Sequence, residues 1–228
     1  TSASTTNSWS GPNSFTSNQQ NLSLTNVTAA QGGTYTVFGT MNGCAGPSAS
    51  VTLVVNPIPV ITVTPPNATI CNGQSVSLTA SGATNYTWSP ATGLSATNTA
   101  TVTANPTITQ TYTITGSDGT CSGSTTATIT VNPLPQGSLT ANGPFCATGA
   151  GQLTFTASAG TGPYTVVYND GTADRTVNNV VSGTPFNTFT TPVTGTTTYT
   201  LVSVTGANTC VRNTGFTGSS ATITVNPL

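Results

Sequence analysis

Thr126-Ala127-Thr128-Ile129-Thr130-Val131-Asn132-Pro133 is the stretch that decides how this chain is read. In an extended backbone Ala127, Ile129 and Val131 point to one side and Thr126, Thr128 and Thr130 to the other, the two-residue period of a half-buried strand. Proline carries no N–H for a ladder, so Asn132-Pro133 stops the strand. The same stop closes Ala49 to Pro57 (ASVTLVVNP) and Ser220 to Pro227 (SATITVNP). A strand that recurs with its own terminator marks an internal repeat, and each Val-Asn-Pro is read as a module end.

Working outward, the alternation returns at Val76, Leu78 and Ala80, at Tyr112 and Ile114, and at Leu153, Phe155 and Ala157. Clusters of Gly, Asn, Ser and Pro separate these runs, and no window has a helical period of comparable quality. The class is all-β, organised as tandem immunoglobulin-like β-sandwiches strung in a row. Short proline joints, Ile58-Pro59-Val60 and Leu134-Pro135-Gln136, follow the first two stops and favour extended, semi-rigid geometry. The expected modules are 1–57, 58–133 and 134–228. The first reads as partial, beginning near the central Trp strand of a sandwich whose earlier strands are missing.

The chain has 228 residues but only Lys+Arg 2, Asp+Glu 3 and His 0. Its whole charged inventory is Asp118, Asp170, Asp174, Arg175 and Arg212. Proton transfer needs titratable groups and phosphate binding needs clustered cations, so neither a catalytic or cofactor site nor a nucleic-acid partner is expected. The longest apolar runs, such as Val54-Val55 and Val180-Val181, are far short of the roughly 20 residues of a membrane helix. Thr1-Ser2-Ala3-Ser4 lacks the basic and apolar regions of a signal peptide, so the start reads as mature or internal.

Five cysteines stand at 44, 71, 121, 146 and 210. Each full module holds one near its start and one near its end, which predicts the pairs Cys71 with Cys121 and Cys146 with Cys210. Such loops of roughly 50 to 65 residues give about 4 kcal/mol each by chain entropy, and they imply an oxidising compartment. Cys44 occupies the late position without an early partner and is left odd. A zinc site is disfavoured by the lack of both C-x-x-C and His.

Trp9 (NSWSGP) and Trp88 (YTWSP) share a context, and Pro163-Tyr164-Thr165-Val166 is expected at their place in the third module. A third-strand aromatic packed across a core explains them. Tyr35, Tyr112 and Tyr199, each within Thr-Tyr-Thr, are expected as core rings with the hydroxyl tied to backbone; a sugar-stacking platform is the alternative use of such aromatics. Asp170 and Asp174 in Asn-Asp-Gly-Thr-Ala-Asp are a weak Ca²⁺ candidate, with a hairpin turn at Asp170-Gly171 the competing reading.

The strings Tyr86 to Leu94 (YTWSPATGL), Thr111 to Thr115 (TYTIT) with Gly119-Thr120-Cys121, and Gly33 to Phe38 (GTYTVF) with Asn42-Gly43-Cys44 resemble the Ig-like and PKD-like repeats of very large Bacteroidota surface proteins, including SprB-type gliding adhesins. The Trp-Asp-Phe-Gly-Asp stretch of PKD domains is absent at Trp88. The resemblance implies type IX export, a cell-surface location and a non-catalytic role as a stalk or filament segment whose partners are neighbouring modules. Carbohydrate-binding modules beside a secreted enzyme, or an extracellular fibre assembled from copies of the chain, are the alternatives.

Overall fold

The computed structural model describes residues 5–228, so the Thr1–Ser4 start lies outside the described residues. The first group of strands is β1 (Thr5–Gly11), β2 (Phe15–Ser17), β3 (Gly33–Met41) and β4 (Cys44–Leu53). They form one sheet in the order β2-β1-β3-β4. One face of it carries an apolar groove lined by Trp9, Leu22, Leu24, Tyr35, Val51 and Leu53, partly roofed by the loop that holds the two leucines. Val51 stays exposed on that face.

Next come β5 (Thr62–Thr64), β6 (Asn67–Cys71), β7 (Val76–Ser81), β8 (Asn85–Ser89), β9 (Thr101–Ala104), β10 (Gln110–Ser117) and β11 (Ser122–Asn132). These make two sheets, β6-β11-β10-β8 and β5-β7-β9. The alternation seen in the sequence now has a cause, because every second residue enters the space between the sheets. Leu78 and Ala80 from one sheet meet Trp88, Tyr112, Ile114, Ala127 and Ile129 from the other in a single buried cluster. On the outer face threonines pair across strands, as Thr111 does with Thr128 at 3.0 Å and Thr79 with Thr101 at 3.2 Å. Hydroxyl ladders of this kind keep a sheet surface wet without charge and support the cross-strand register.

The last group is β12 (Gln136–Ala141), β13 (Phe145–Cys146), β14 (Gln152–Ala159), β15 (Tyr164–Asn169), β16 (Asp174–Val180), β17 (Pro185–Asn187), β18 (Thr197–Thr205), β19 (Val211–Arg212), β20 (Ser220–Ile223) and β21 (Val225–Asn226). Here β12-β14-β17 faces a larger sheet built on β16-β15-β18, with β19 and β20 beside β18, while β13 pairs β21. Leu153, Phe155, Val166, Tyr168, Val204 and Ile223 fill the space between.

Equivalent residues hold equivalent places. Tyr35, Tyr112 and Tyr199 lie opposite Val51, Ala127 and Ala221 on the neighbouring antiparallel strand. All three rings are buried, and the Tyr35 and Tyr112 hydroxyls donate to the Gln31 and Thr92 carbonyls at 2.9 and 2.8 Å. Burial pushes the Tyr112 and Tyr199 hydroxyls above the usual phenol range. Trp88 lies opposite Ile114, two residues past Tyr112, and its indole N–H donates to the Thr99 carbonyl at 2.8 Å. Trp9 holds the same register opposite Val37 and donates to Gln19, but it is only half-buried because a loop rather than a second sheet lies over it. In the third group the register assigns this place to Tyr168, which lies opposite Leu201. Tyr164, expected there from the sequence, sits four residues earlier against Phe155. Both rings enter the same buried cluster from β15, whose bulges shift its pairing with each neighbour by one residue.

Candidate functional site at the joint between sandwiches

The only covalent link besides the backbone, among the described residues, is a disulfide between Cys71 and Cys210, whose Cα atoms are 5.5 Å apart. This corrects both predicted pairs. Cys71 belongs to the middle sandwich and Cys210 to the last, so the bond crosses the joint and is not contained in either core. Strand direction explains why. Cys71 ends β6, which runs parallel to β11 and lies opposite Asn132 at its exit, whereas Cys121 directly precedes the entry of β11. Eleven residues at about 3.3 Å each separate those poles by roughly 35 Å, and a disulfide needs Cα atoms within about 7 Å. In the last sandwich Cys146 likewise lies opposite Asn226, while Cys210 lies beyond the far end of β18. Cys121 and Cys146 are therefore free thiols, as is Cys44, and both Cys44 and Cys146 are exposed.

The joint between the two sandwiches is short, running from the end of β11 at Asn132 to the start of β12 at Gln136, and holds Pro133 and Pro135. Pro135 is buried at the entry of the last sandwich, as Pro59 is at the entry of the middle one. Arg212 reaches back to donate from Nε to the Pro135 carbonyl at 2.6 Å, and Gln136 donates its side-chain amide to the Gly215 carbonyl at 2.9 Å. One of the chain's two cations thus acts on backbone at a joint. At the other joint Gly123 lies so close to the Pro59 carbonyl that any Cβ would collide with backbone. Glycine is needed there for the close approach of the linker to β11.

Asp170 and Asp174 do not converge as cation ligands. Asp170 caps its own turn, one oxygen accepting from the Thr172 hydroxyl at 2.6 Å and from the Thr172 and Ala173 amides, the other from Arg175 Nε at 2.7 Å. Asp174 accepts from the Asn169 amide at 2.7 Å, and Arg175 lies over the Phe189 ring, 3.9 Å from its centroid. No group of three or more His, Cys, Asp or Glu that could hold a metal occurs among the described residues.

The Thr172 hydroxyl, Arg175 and the Ala173 amide, in that order, hold the Asp170 carboxyl well below its ordinary 3.8. A pKa depressed on folding stabilises above the unfolded value, and that contribution is lost as pH falls through the folded one. The stability difference between the native chain and Asp170→Asn is expected to shrink as pH is lowered from about 5 to about 2. Denaturant titrations at each pH check it; a constant difference contradicts this account of the turn.

The fold and joint define a class: tandem immunoglobulin-like β-sandwiches, with a covalent crosslink between two successive units. No protein-family model and no curated protein matches the chain. Solved multidomain structures do. The chain is similar to extracellular domains 3–5 of Drosophila OTK, at 13% identity over 97% of this chain and 85% of that one, with a TM-score of 0.43. A three-immunoglobulin fragment of titin matches at 12% identity over 97% and 88%, TM-score 0.43. The three N-terminal domains of the outer capsid protein Hoc of bacteriophage RB49 match at 11% over 98% and 88%, TM-score 0.39. No described helix is long and apolar enough to cross a membrane.

Proposed function

We propose that this chain is a non-catalytic, length-setting segment of an extracellular cell-surface adhesin, a stalk in which successive modules are locked end to end. The carrying observation is the Cys71–Cys210 bond, which ties the exit pole of one sandwich to the entry pole of the next. A crosslink at that place adds no packing to either core and restrains the angle between them. A disulfide also favours an oxidising environment, which supports an extracellular location. The scarcity of ionisable side chains supports a mechanical role over a chemical one. The modules are proposed to divide at 57/58 and 133/134, directly after the first two Val-Asn-Pro triplets. Residues 1–57 are then part of a sandwich, the Trp9 and Tyr35 face being the one that a second sheet covers in the middle module. Resemblance of the repeat strings to Bacteroidota gliding adhesins supports type IX export as the route.

Each module adds roughly 35 to 40 Å, given strands of about eight residues at about 3.3 Å plus loops, so the oxidised chain is expected to span about 110 Å. Small-angle X-ray scattering measures this directly. A maximum dimension near that of a compact sphere of equal mass, about 45 Å, would defeat the stalk reading.

A further inference from the structure

The five cysteines fall into two structural sets. Cys71 and Cys146 sit at the exit pole of a sandwich, each opposite the Asn of a Val-Asn-Pro stop in parallel register, Cys71 with Asn132 and Cys146 with Asn226. The match extends to the next hydrogen bond: Asn72 N–H donates to the Asn132 carbonyl at 2.9 Å, and Ala147 N–H to the Asn226 carbonyl at 2.8 Å. Cys44, Cys121 and Cys210 sit at the entry pole, just after the buried-Tyr strand, Cys44 as the first residue of β4 and the other two directly before β11 and β19. At the joint between the middle and last units an exit cysteine is bonded to an entry cysteine. At the joint before it, the entry cysteine Cys121 places its sulfur 3.6 Å from the carbonyl of Asn56, the Asn of the first Val-Asn-Pro stop. An entry cysteine therefore meets the preceding Val-Asn-Pro stop at both joints, and where an exit cysteine stands beside that stop the two are bonded.

We propose that Cys146 is the exit half of a second inter-module disulfide, and that its partner is the entry-turn cysteine, in the position of Cys210, of a further module of this same kind. Cys146 is exposed and unpaired, and its backbone setting matches that of bonded Cys71. By the same rule Cys44 and Cys121 are entry halves that pair backwards, never with a cysteine of their own module. The bond closes by thiol–disulfide exchange with a small-molecule or oxidoreductase disulfide. The Cys146 thiolate attacks one sulfur of the donor and releases the other as a thiol. The entry cysteine's thiolate then displaces the second donor thiol, so one S–S bond forms, one breaks, and the two protons leave on the released thiols. This goes beyond the stalk reading and does not rest on it, since the bond pattern holds for a short array as well as a long one.

The test extends the full chain with a second copy of residues 135–228 directly after Leu228, which recreates the Asn-Pro-Leu-Pro joint between the duplicates. After equilibration in oxidised and reduced glutathione, free thiols are alkylated and the unreduced protein is digested and mapped by mass spectrometry. The expected result is a Cys146 peptide linked to the appended copy's counterpart of Cys210, alongside the Cys71–Cys210 link. Cys146→Ser in the original copy removes the new link and leaves Cys71–Cys210 intact, which also reports that the array has folded. Alkylated Cys146, a Cys146–Cys210 link inside one sandwich, or failure of Cys71–Cys210 to form would each overturn the proposal. Scattering on the same sample judges the stalk separately.

Discussion

Replacing Cys71 by Ser, or reducing its bond to Cys210, is expected to leave the middle and last cores folded while uncoupling them. The bond joins residues 139 apart in sequence. On the chain-entropy estimate it withholds about 5 kcal/mol from the unfolded ensemble, comparable to the whole stability of a small domain. None of that is core packing, because Leu78, Trp88, Phe155 and Tyr168 lie in clusters that do not include either sulfur. The oxidised chain should therefore melt with the two sandwiches linked, and the reduced chain should show two separate, earlier transitions in calorimetry. Limited proteolysis should speed up at Pro133–Pro135 far more than inside either sheet. Identical calorimetric traces with and without reductant would mean that the staple carries no load.

Trp88→Ala is expected to cost about 3–5 kcal/mol, as large-to-small changes at fully packed aromatic sites do. The side chain is 2% exposed, and its removal also strands the Thr99 carbonyl that the indole satisfies. Against the modest total stability of a sandwich this size, the loss brings the middle unit close to unfolding. Hydrogen exchange followed by mass spectrometry should show β7 to β11 losing protection while β14, β15 and β18 keep theirs. Trp9→Ala supplies the contrast: the same residue type in the same register, half-exposed beneath a loop, should cost much less. Equal losses at the two sites would contradict the burial difference from which the prediction starts.

What was legible beforehand followed from local rules. Alternation of Thr with Val, Ile and Tyr defined strands, because side chains of an extended backbone point to opposite faces whatever else the fold does. Val-Asn-Pro marked the strand ends at Asn132 and Asn226, because a missing N–H is a property of proline and not of its surroundings, whereas in the first copy β4 already stops at Leu53. The buried Tyr35, Tyr112 and Tyr199 could be found from their Thr-Tyr-Thr setting. Tyr168 could not, because Tyr164, in the string that looked equivalent, is buried on the same strand four residues earlier, and local pattern does not tell which of the two rings lies opposite Leu201.

The cysteines mark where local reading ends. Sequence by itself determined that they recur at two kinds of position, one before the first long strand of a module and one before the last. Which of them meet was decided only by tertiary structure. Two sites at similar places in a repeat look like natural partners along the chain, yet β6 and β11 run parallel, so one site lies at the exit and the other a strand length away at the entry. A sulfur–sulfur bond reaches only a few ångströms, and the cysteine within that reach belonged to the next sandwich, brought there by a two-proline joint.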